Sequence, residues 1–324
     1  MKFTNRPLDV RVSFLALAFV MCLGLFACAD KAQQAQDRIK AGTAKAAQGD
    51  FTGAIADFDA AIAAQPDLAP AYYDRGSARD DKGDHDGAVA DYSKAIELKP
   101  DLADAYFLRG KSLNNNADFA HAVADFSKVI ELQPNSLDAY GYRAGAEINL
   151  GNLDGALADY NKAIEIKPGV AEIYSARGDL RFLKGDFAGA LADYDQTFKL
   201  DANIFPMQRL YRHLLLARAG QANDDLAATV AAWKDGWAKT IGLFLSGKMN
   251  EKDFLAAADK GDPTGAGDRL CQADYFAGMK HLLDNDPTGA RQLFRQSALI
   301  DGATVFERDL AKAEAARMDK AAGQ

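Results

Sequence analysis

The feature that most limits what this chain can fold into is a repeat with a period of 34 residues. "GDFTGAIADFDAAIAAQP" (49–66) returns as "GDHDGAVADYSKAIELKP" (83–100), "ADFAHAVADFSKVIELQP" (117–134), "GNLDGALADYNKAIEIKP" (151–168) and "GDFAGALADYDQTFKLDA" (185–202). Alanine recurs at 54, 88, 122, 156 and 190, and an aromatic follows four residues later at Phe58, Tyr92, Phe126, Tyr160 and Tyr194. Four copies end in proline, at 66, 100, 134 and 168, and the fifth has Ala202. A unit this short cannot bury its apolar face alone, so tandem copies must stack on one another.

Each column has a physical reason. Gly76, Gly110 and Gly178, with Ala88 and its equivalents, are small where two antiparallel helices come closest, and the aromatics fill the space one turn on. Gly83 or Gly151 ends the first helix, and the next residue (Asp50, Asp84, Asp118, Asn152, Asp186) is placed to cap the second. The proline stops that second helix, because the residue before it is pushed out of the α region. Helix, turn, helix at this period is the tetratricopeptide (TPR) signature. The expected fold is all-α: a solenoid of antiparallel helix pairs with five TPR units over 35–204, stacked into one curved rod.

Two charged columns depart from the ordinary pattern. The position three after the first aromatic, leucine in an ordinary TPR, is Arg75, Arg109, Arg143 and Arg177, with Ala41 in the first unit. In step with it, Asp57, Asp91, Asp125, Asp159 and Asp193 stand directly before the second-helix aromatic. A ladder of Arg–Asp bridges is expected, either within units, leaving Asp57 spare, or to the next unit, leaving Asp193 spare. The simpler alternative is that the arginines reach solvent across the aromatic rings. Either way they are architecture and not a phosphate or carboxylate site.

The last third, 205–324, reads as degenerate TPR-like helices and a C-terminal cap. Helices are expected over 205–220 and 223–236, then a short pair in "WAKTIGLFLSGKM" and "EKDFLAAADKG". Tyr275, Gly278, Ala290 and Phe294 restore the TPR columns, and the amphipathic stretch 304–318 would close the array.

Residues 1–29 form a separate object. A net-positive start, "MKFTNRPLDVR", precedes the apolar "VSFLALAFVMCLGLFA", too short to span a bilayer comfortably, and small residues follow. This is an export signal. "LFAC" suits lipidation at Cys28, whereas "ACA" before Asp30 equally suits an ordinary signal peptidase. Membrane attachment is expected only through this segment. Cys271 is then left without a disulfide framework and reads as a small buried hydrophobe.

A formal charge of -8 offers no basic footprint for nucleic acid. The four histidines (85, 121, 213, 281) are scattered, and no metal, glycine-loop or nucleophile motif occurs. No cofactor, metal or catalytic residue is expected. What remains is the inner face of the first helices, where Tyr73, Ser77, Asp80, Phe107, Lys111, Asn114, Asp138, Glu172, Asp179 and Phe182 form the candidate partner groove. Aromatics with amides and mixed charges suit an extended peptide or a partner helix. Lys111 with Asn114 is similar to a clamp for a C-terminal carboxylate, but the neighbouring units offer only Gly141, Gly145 and Ser175.

An export signal, uninterrupted repeats with "RG" and "ADY" columns, and the segments "WAKTIGLFLSG" and "RLCQADYFAG" occur in an order that resembles the NlpI-type TPR lipoproteins. The resemblance implies a non-catalytic adaptor in the periplasm, often a homodimer, that links cell-wall hydrolases with a processing protease. The alternative is an outer-membrane or secretion assembly factor. A hydrolase that recruits substrate through its repeats would need a nucleophile in 205–324, where only Cys271, His213 and His281 are candidates.

Overall fold

The computed structural model describes residues 30–201, 206–221, 226–260, 265–300 and 306–323, so residues 1–29, with the expected export signal and Cys28, lie outside the described residues. The chain divides between Asn152 and Leu153 into two compact units. The first holds α1 (30–46), α2 (Phe51–Ala64), α3 (Ala69–Asp81), α4 (His85–Leu98), α5 (Ala103–Asn115), α6 (Phe119–Leu132) and α7 (Leu137–Asn149). The second holds α8 (Leu153–Ile166), α9 (Ala171–Lys184), α10 (Phe187–Leu200), α11 (Pro206–Arg218), α12 (Leu226–Ala231), α13 (Trp237–Leu245), α14 (Glu251–Asp259), α15 (Ala266–Leu283), α16 (Pro287–Leu299) and α17 (Phe306–Ala322).

Helix boundaries follow local chemistry. Asp50, Asp84 and Asp186 accept the backbone N–H of Gly53, Gly87 and Gly189, and Asp118 accepts that of His121, so each caps a second helix. The same helices in the first unit end at Gln65, Lys99 and Gln133, all with φ near −140°, each directly before a proline. The turn inside each pair needs a left-handed residue. Gly83, Gly151 and Gly185 supply it, but in the third repeat Ala117 holds φ 58°.

Within a pair the close approach is real. A Cβ at Gly110 would lie 2.8 Å from the Phe126 ring, and one at Gly278 would lie 2.8 Å from Phe294. The last helix pair, α15 and α16, therefore packs as a TPR pair does, with Tyr275, Ala290 and Phe294 fully buried. Asp286 caps α16 as the repeat aspartates cap theirs.

The second unit has one continuous core. Phe182, Ala190 and Tyr194 from the fifth repeat share it with Leu210, Tyr211, Phe276 and Leu310 from beyond residue 205. The fifth repeat thus buries its face against helices that follow it. One expected helix ends before its pattern does: 223–236 reads as helical, 223–225 lie outside the described residues, and the described helix Leu226–Ala231 stops five residues before 236. Downstream, Trp233 O accepts a bond from Lys239 Nζ and Gly236 sits at φ 158°, so the chain turns instead.

α17 is tied in by buried charge. Glu307 and Glu314 are 2% and 1% exposed. Tyr211 donates its hydroxyl to Glu307, and Arg218 and Arg317 donate to Glu314 at 3.0 and 2.7 Å. Arg317 also donates to the carbonyls of Phe182 and Leu183 at the end of α9.

Candidate functional site

The arginine ladder forms, and it resolves the choice of register. Arg75 Nε and Nη2 donate to Asp91 at 2.9 and 2.5 Å, Arg109 to Asp125 at 2.8 and 2.7 Å, and Arg177 to Asp193 at 3.0 and 2.6 Å. In these three repeats the fork-on-carboxylate geometry lies within the repeat. The remaining nitrogen, Nη1, reaches the preceding repeat: Arg75 to Asp59, Arg109 to Ser93, Arg143 to Ser127 and Arg177 to Asn161. A third polar column, two residues after the aspartates, thus completes the ladder. Each arginine also lies over the tyrosine three residues before it, 5.5–5.7 Å from the ring centroid. The arginines therefore pair rather than reach solvent: the side chains of Arg75, Arg109 and Arg177 are only 15%, 22% and 14% exposed.

Asp57 is not spare. Arg38 and Lys45 both bind it, at 2.8 and 2.5 Å, and those two hydrogen bonds, Lys45 first, hold its carboxyl below the usual range. Asp159 on α8 is buried. The aspartate of Arg75 leads the causes that raise that guanidinium's pKa, and that of Arg109 does the same for its own.

Of the ten groove candidates, seven lie on α3, α5 and α7 in the first unit. Tyr73 faces Tyr92 at 5.9 Å, and Phe107 faces Phe126 at 5.9 Å. Ser77 and Asn114 are half-buried, and Asp138 is exposed. Asp80 is committed to an internal network, accepting from Ser112 Oγ at 2.7 Å and meeting His85 Nδ1 at 2.8 Å.

Lys111 Nζ stands 5.7 Å over the ring of Tyr142, which is 40% exposed and packs edge-on to Phe107 at 5.3 Å. Sequence reasoning missed Tyr142 because it falls in the column of Asp74 and Leu108, one place beyond the inward-facing one. The signal was available: Gly141 vacates the ring position of Tyr73 and Phe107, and an aromatic follows at once. A Cβ at Gly141 or at Gly145 would meet nothing within 4 Å, so open space covers this strip of α7.

Around these rings the charge is acidic. Asp74 is half-buried, and desolvation raises its pKa. Asp104 and Asp138 are exposed, and desolvation, with smaller contributions from Asp104 and Asp74, raises the pKa of Tyr73.

The other three candidates lie on α9 in the second unit. Glu172 is exposed. Asp179 accepts from Tyr194 at 2.8 Å and from Gln208 at 3.3 Å, and desolvation pushes its carboxyl up to about 7. Phe182 is not a groove residue. It is fully buried and packs against Phe187 and Tyr211, because the following helices cover the surface that would be inner in an open array.

Two of the three residues named as hydrolase candidates, Cys271 and His281, have close structural neighbours. Cys271 is fully buried with Sγ 3.2 Å from Ser297 Oγ, and desolvation pushes its thiol up. His281 has Asp286 on Nδ1 at 2.7 Å and Glu251 on Nε2 at 2.8 Å, and those bonds, Asp286 foremost, raise its pKa. Among the described residues no group of three or more His, Cys, Asp or Glu is placed to hold a metal ion.

The fold defines the class: repeated two-helix units of TPR type, a build that typically serves as a scaffold for protein interaction. Family comparison agrees. The TPR repeat pattern matches residues 81–116 and 144–185, and a second tetratricopeptide repeat pattern matches 103–136, so these segments are tetratricopeptide repeats.

Among solved structures, a tetratricopeptide repeat protein from Parabacteroides merdae is 15% identical, with a TM-score of 0.54 over 87% of this chain and 98% of its own. A MamA protein is 24% identical, with a TM-score of 0.51 over 52% of this chain and 93% of its own. MamA from Desulfovibrio magneticus RS-1 is 18% identical, with a TM-score of 0.50 over 53% and 97%. These likenesses support the fold. No curated protein matches the sequence significantly.

Proposed function

We propose that this chain is a non-catalytic adaptor whose first unit holds a polypeptide segment on the inner face of α3, α5 and α7. The observation that carries this reading is the half-open aromatic strip of Tyr73, Phe107 and Tyr142 beside the uncovered backbone at Gly141 and Gly145. Glycines with free space above them allow a bound backbone to approach closely, and the rings give it an apolar footing. Asp74, Asp104 and Asp138 outnumber Lys111 on this face, so the segment it suits is net basic with an apolar anchor.

The finer reading draws on the sequence. Residues 1–29 have the pattern of an export signal, which supports a periplasmic adaptor, attached to the membrane where Cys28 is lipidated. The resemblance to NlpI-type lipoproteins supports cell-wall hydrolases and an envelope protease as its partners. The engagement of Cys271 and His281 by structural neighbours favours this over a hydrolase.

One experiment tests both levels. The full chain, tagged at its C-terminus, is expected in the envelope fraction, and cross-linking there should recover hydrolases or proteases. A Phe107→Ala, Tyr142→Ala double variant should fractionate identically and lose at least about nine-tenths of that recovery, as loss of two aromatic anchors would cause. Undiminished recovery by the double variant rejects the groove, and turnover of a cell-wall substrate by the purified chain alone rejects the adaptor.

A further inference from the structure

The third repeat lacks a cation that the first, second and fifth repeats have; the fourth has Glu147 at that position. Four residues after the ladder arginine, α3 carries Arg79 and α9 carries Arg181. Arg79 Nη1 donates to Asp91 Oδ2 at 2.8 Å and to the Gly87 carbonyl at 3.2 Å, with Nε 3.8 Å from Asp84. Arg181 repeats this on Asp193 at 2.8 Å, the Gly189 carbonyl at 3.3 Å and Asp186 at 3.7 Å. Lys45 makes the carboxylate contact in the first repeat. On α5 the corresponding residue is Leu113, which has no donor to offer.

The acceptors are nevertheless still in place. Asp125 is the counterpart of Asp91, His121 that of Gly87 and Asp118 that of Asp84. All three, with Ser93, Arg109 and Leu113, line an open pocket of about 380 Å³. The Asp125 side chain is only 7% exposed, and its Oδ2 accepts one hydrogen bond, from Arg109 Nε. By contrast, Asp91 Oδ2 and Asp193 Oδ2 each accept two. A buried carboxylate oxygen thus faces a cavity where two other repeats of this chain hold a guanidinium.

We propose that this pocket is a socket for an arginine side chain supplied by a bound polypeptide. Arginine fits better than lysine because Arg79 and Arg181 each use a single Nη1 to bridge carboxylate and carbonyl while Nε turns toward the capping aspartate, whereas Lys45 makes the carboxylate contact alone. A planar fork spans those acceptors, and a point ammonium does not. The charge also suits: Arg109 neutralises Asp125, and Asp118, which meets His121 Nδ1 at 2.8 Å, leaves the site one positive charge short of balance while that imidazole is neutral. The socket lies between α4, α5 and α6, apart from the aromatic strip, and stands whether or not that strip binds anything.

The probe is the blocked tripeptide acetyl-Ala-Arg-Ala-amide, titrated into the full chain at low salt and followed by NMR at the Arg109 Nε–H and the His121 amide. Saturable shifts are expected with a Kd on the order of 1 mM. The citrulline analogue, equal in shape but uncharged, should bind about tenfold more weakly. Leu113→Arg should fill the socket from within, abolish the titration and raise the unfolding temperature. Asp118→Asn, which leaves the ladder intact, should weaken binding at least about threefold and serves should Leu113→Arg not fold. Equal binding of the arginine and citrulline peptides, no saturable shift with the arginine peptide, or full binding by Asp118→Asn would each overturn the socket.

Discussion

A ladder arginine makes three kinds of contact at once: two hydrogen bonds to its own repeat's aspartate, one to the repeat before, and a stack on a tyrosine. The partner aspartates are almost fully buried, so deleting an arginine strands a charge that water cannot reach. Arg109→Ala is therefore expected to destabilise the first unit by about 3 kcal/mol, whereas Lys99→Ala, at an exposed position, should change it by less than about 0.5 kcal/mol. Urea midpoints of the two variants check this, and equal midpoints would refute the ladder as a structural element.

Among the elements, the five descending turns differ in one place. Gly49, Gly83, Gly151 and Gly185 all take positive φ between the helices of a pair, but Ala117 does so with a Cβ. The left-handed region costs a non-glycine residue roughly 1–2 kcal/mol, against roughly 0.5–1 kcal/mol for the extra freedom glycine has when unfolded. Ala117→Gly should thus stabilise the α5–α6 pair by about 0.5–1 kcal/mol net, read as a higher unfolding temperature. A lower temperature would show that the turn relaxes without strain. This repeat also lacks the second cation, as the fourth does with Glu147, so its two departures from the pattern are both losses of local stabilisation.

For the molecule as two compact units, the second differs from the first in what it buries. Asp179, pushed up to about 7 from an ordinary 3.8 by desolvation, keeps its proton in the folded state where the unfolded chain has lost it. Folded protein then binds more protons than unfolded protein between about pH 4 and 7, so stability falls as pH rises through that window and levels off above it. Glu307, raised chiefly by desolvation, acts in the same direction. Asp179→Asn keeps an acceptor for the Tyr194 hydroxyl and removes one ionising group. Its denaturation midpoint should fall less between pH 5 and pH 8 than that of the unaltered chain, and an unchanged slope would place the titration elsewhere.

The 34-residue columns determined the helix pairs, their caps, the glycine-on-ring contacts and the existence of an Arg–Asp pairing, because each of these depends on residues at fixed local spacing. The same rules reached as far as α15 and α16, through Tyr275, Gly278, Ala290 and Phe294. Tertiary structure alone decided the rest. It chose in-repeat pairing with a cross-repeat third bond, brought Tyr142 beside Phe107, and sealed Phe182 beneath the helices that follow. It also joined the fifth repeat to the C-terminal helices in one core. Spacing along a helix states which residues share a face. What covers that face depends on where distant helices settle, and that is set by the summed burial of side chains far apart in the chain.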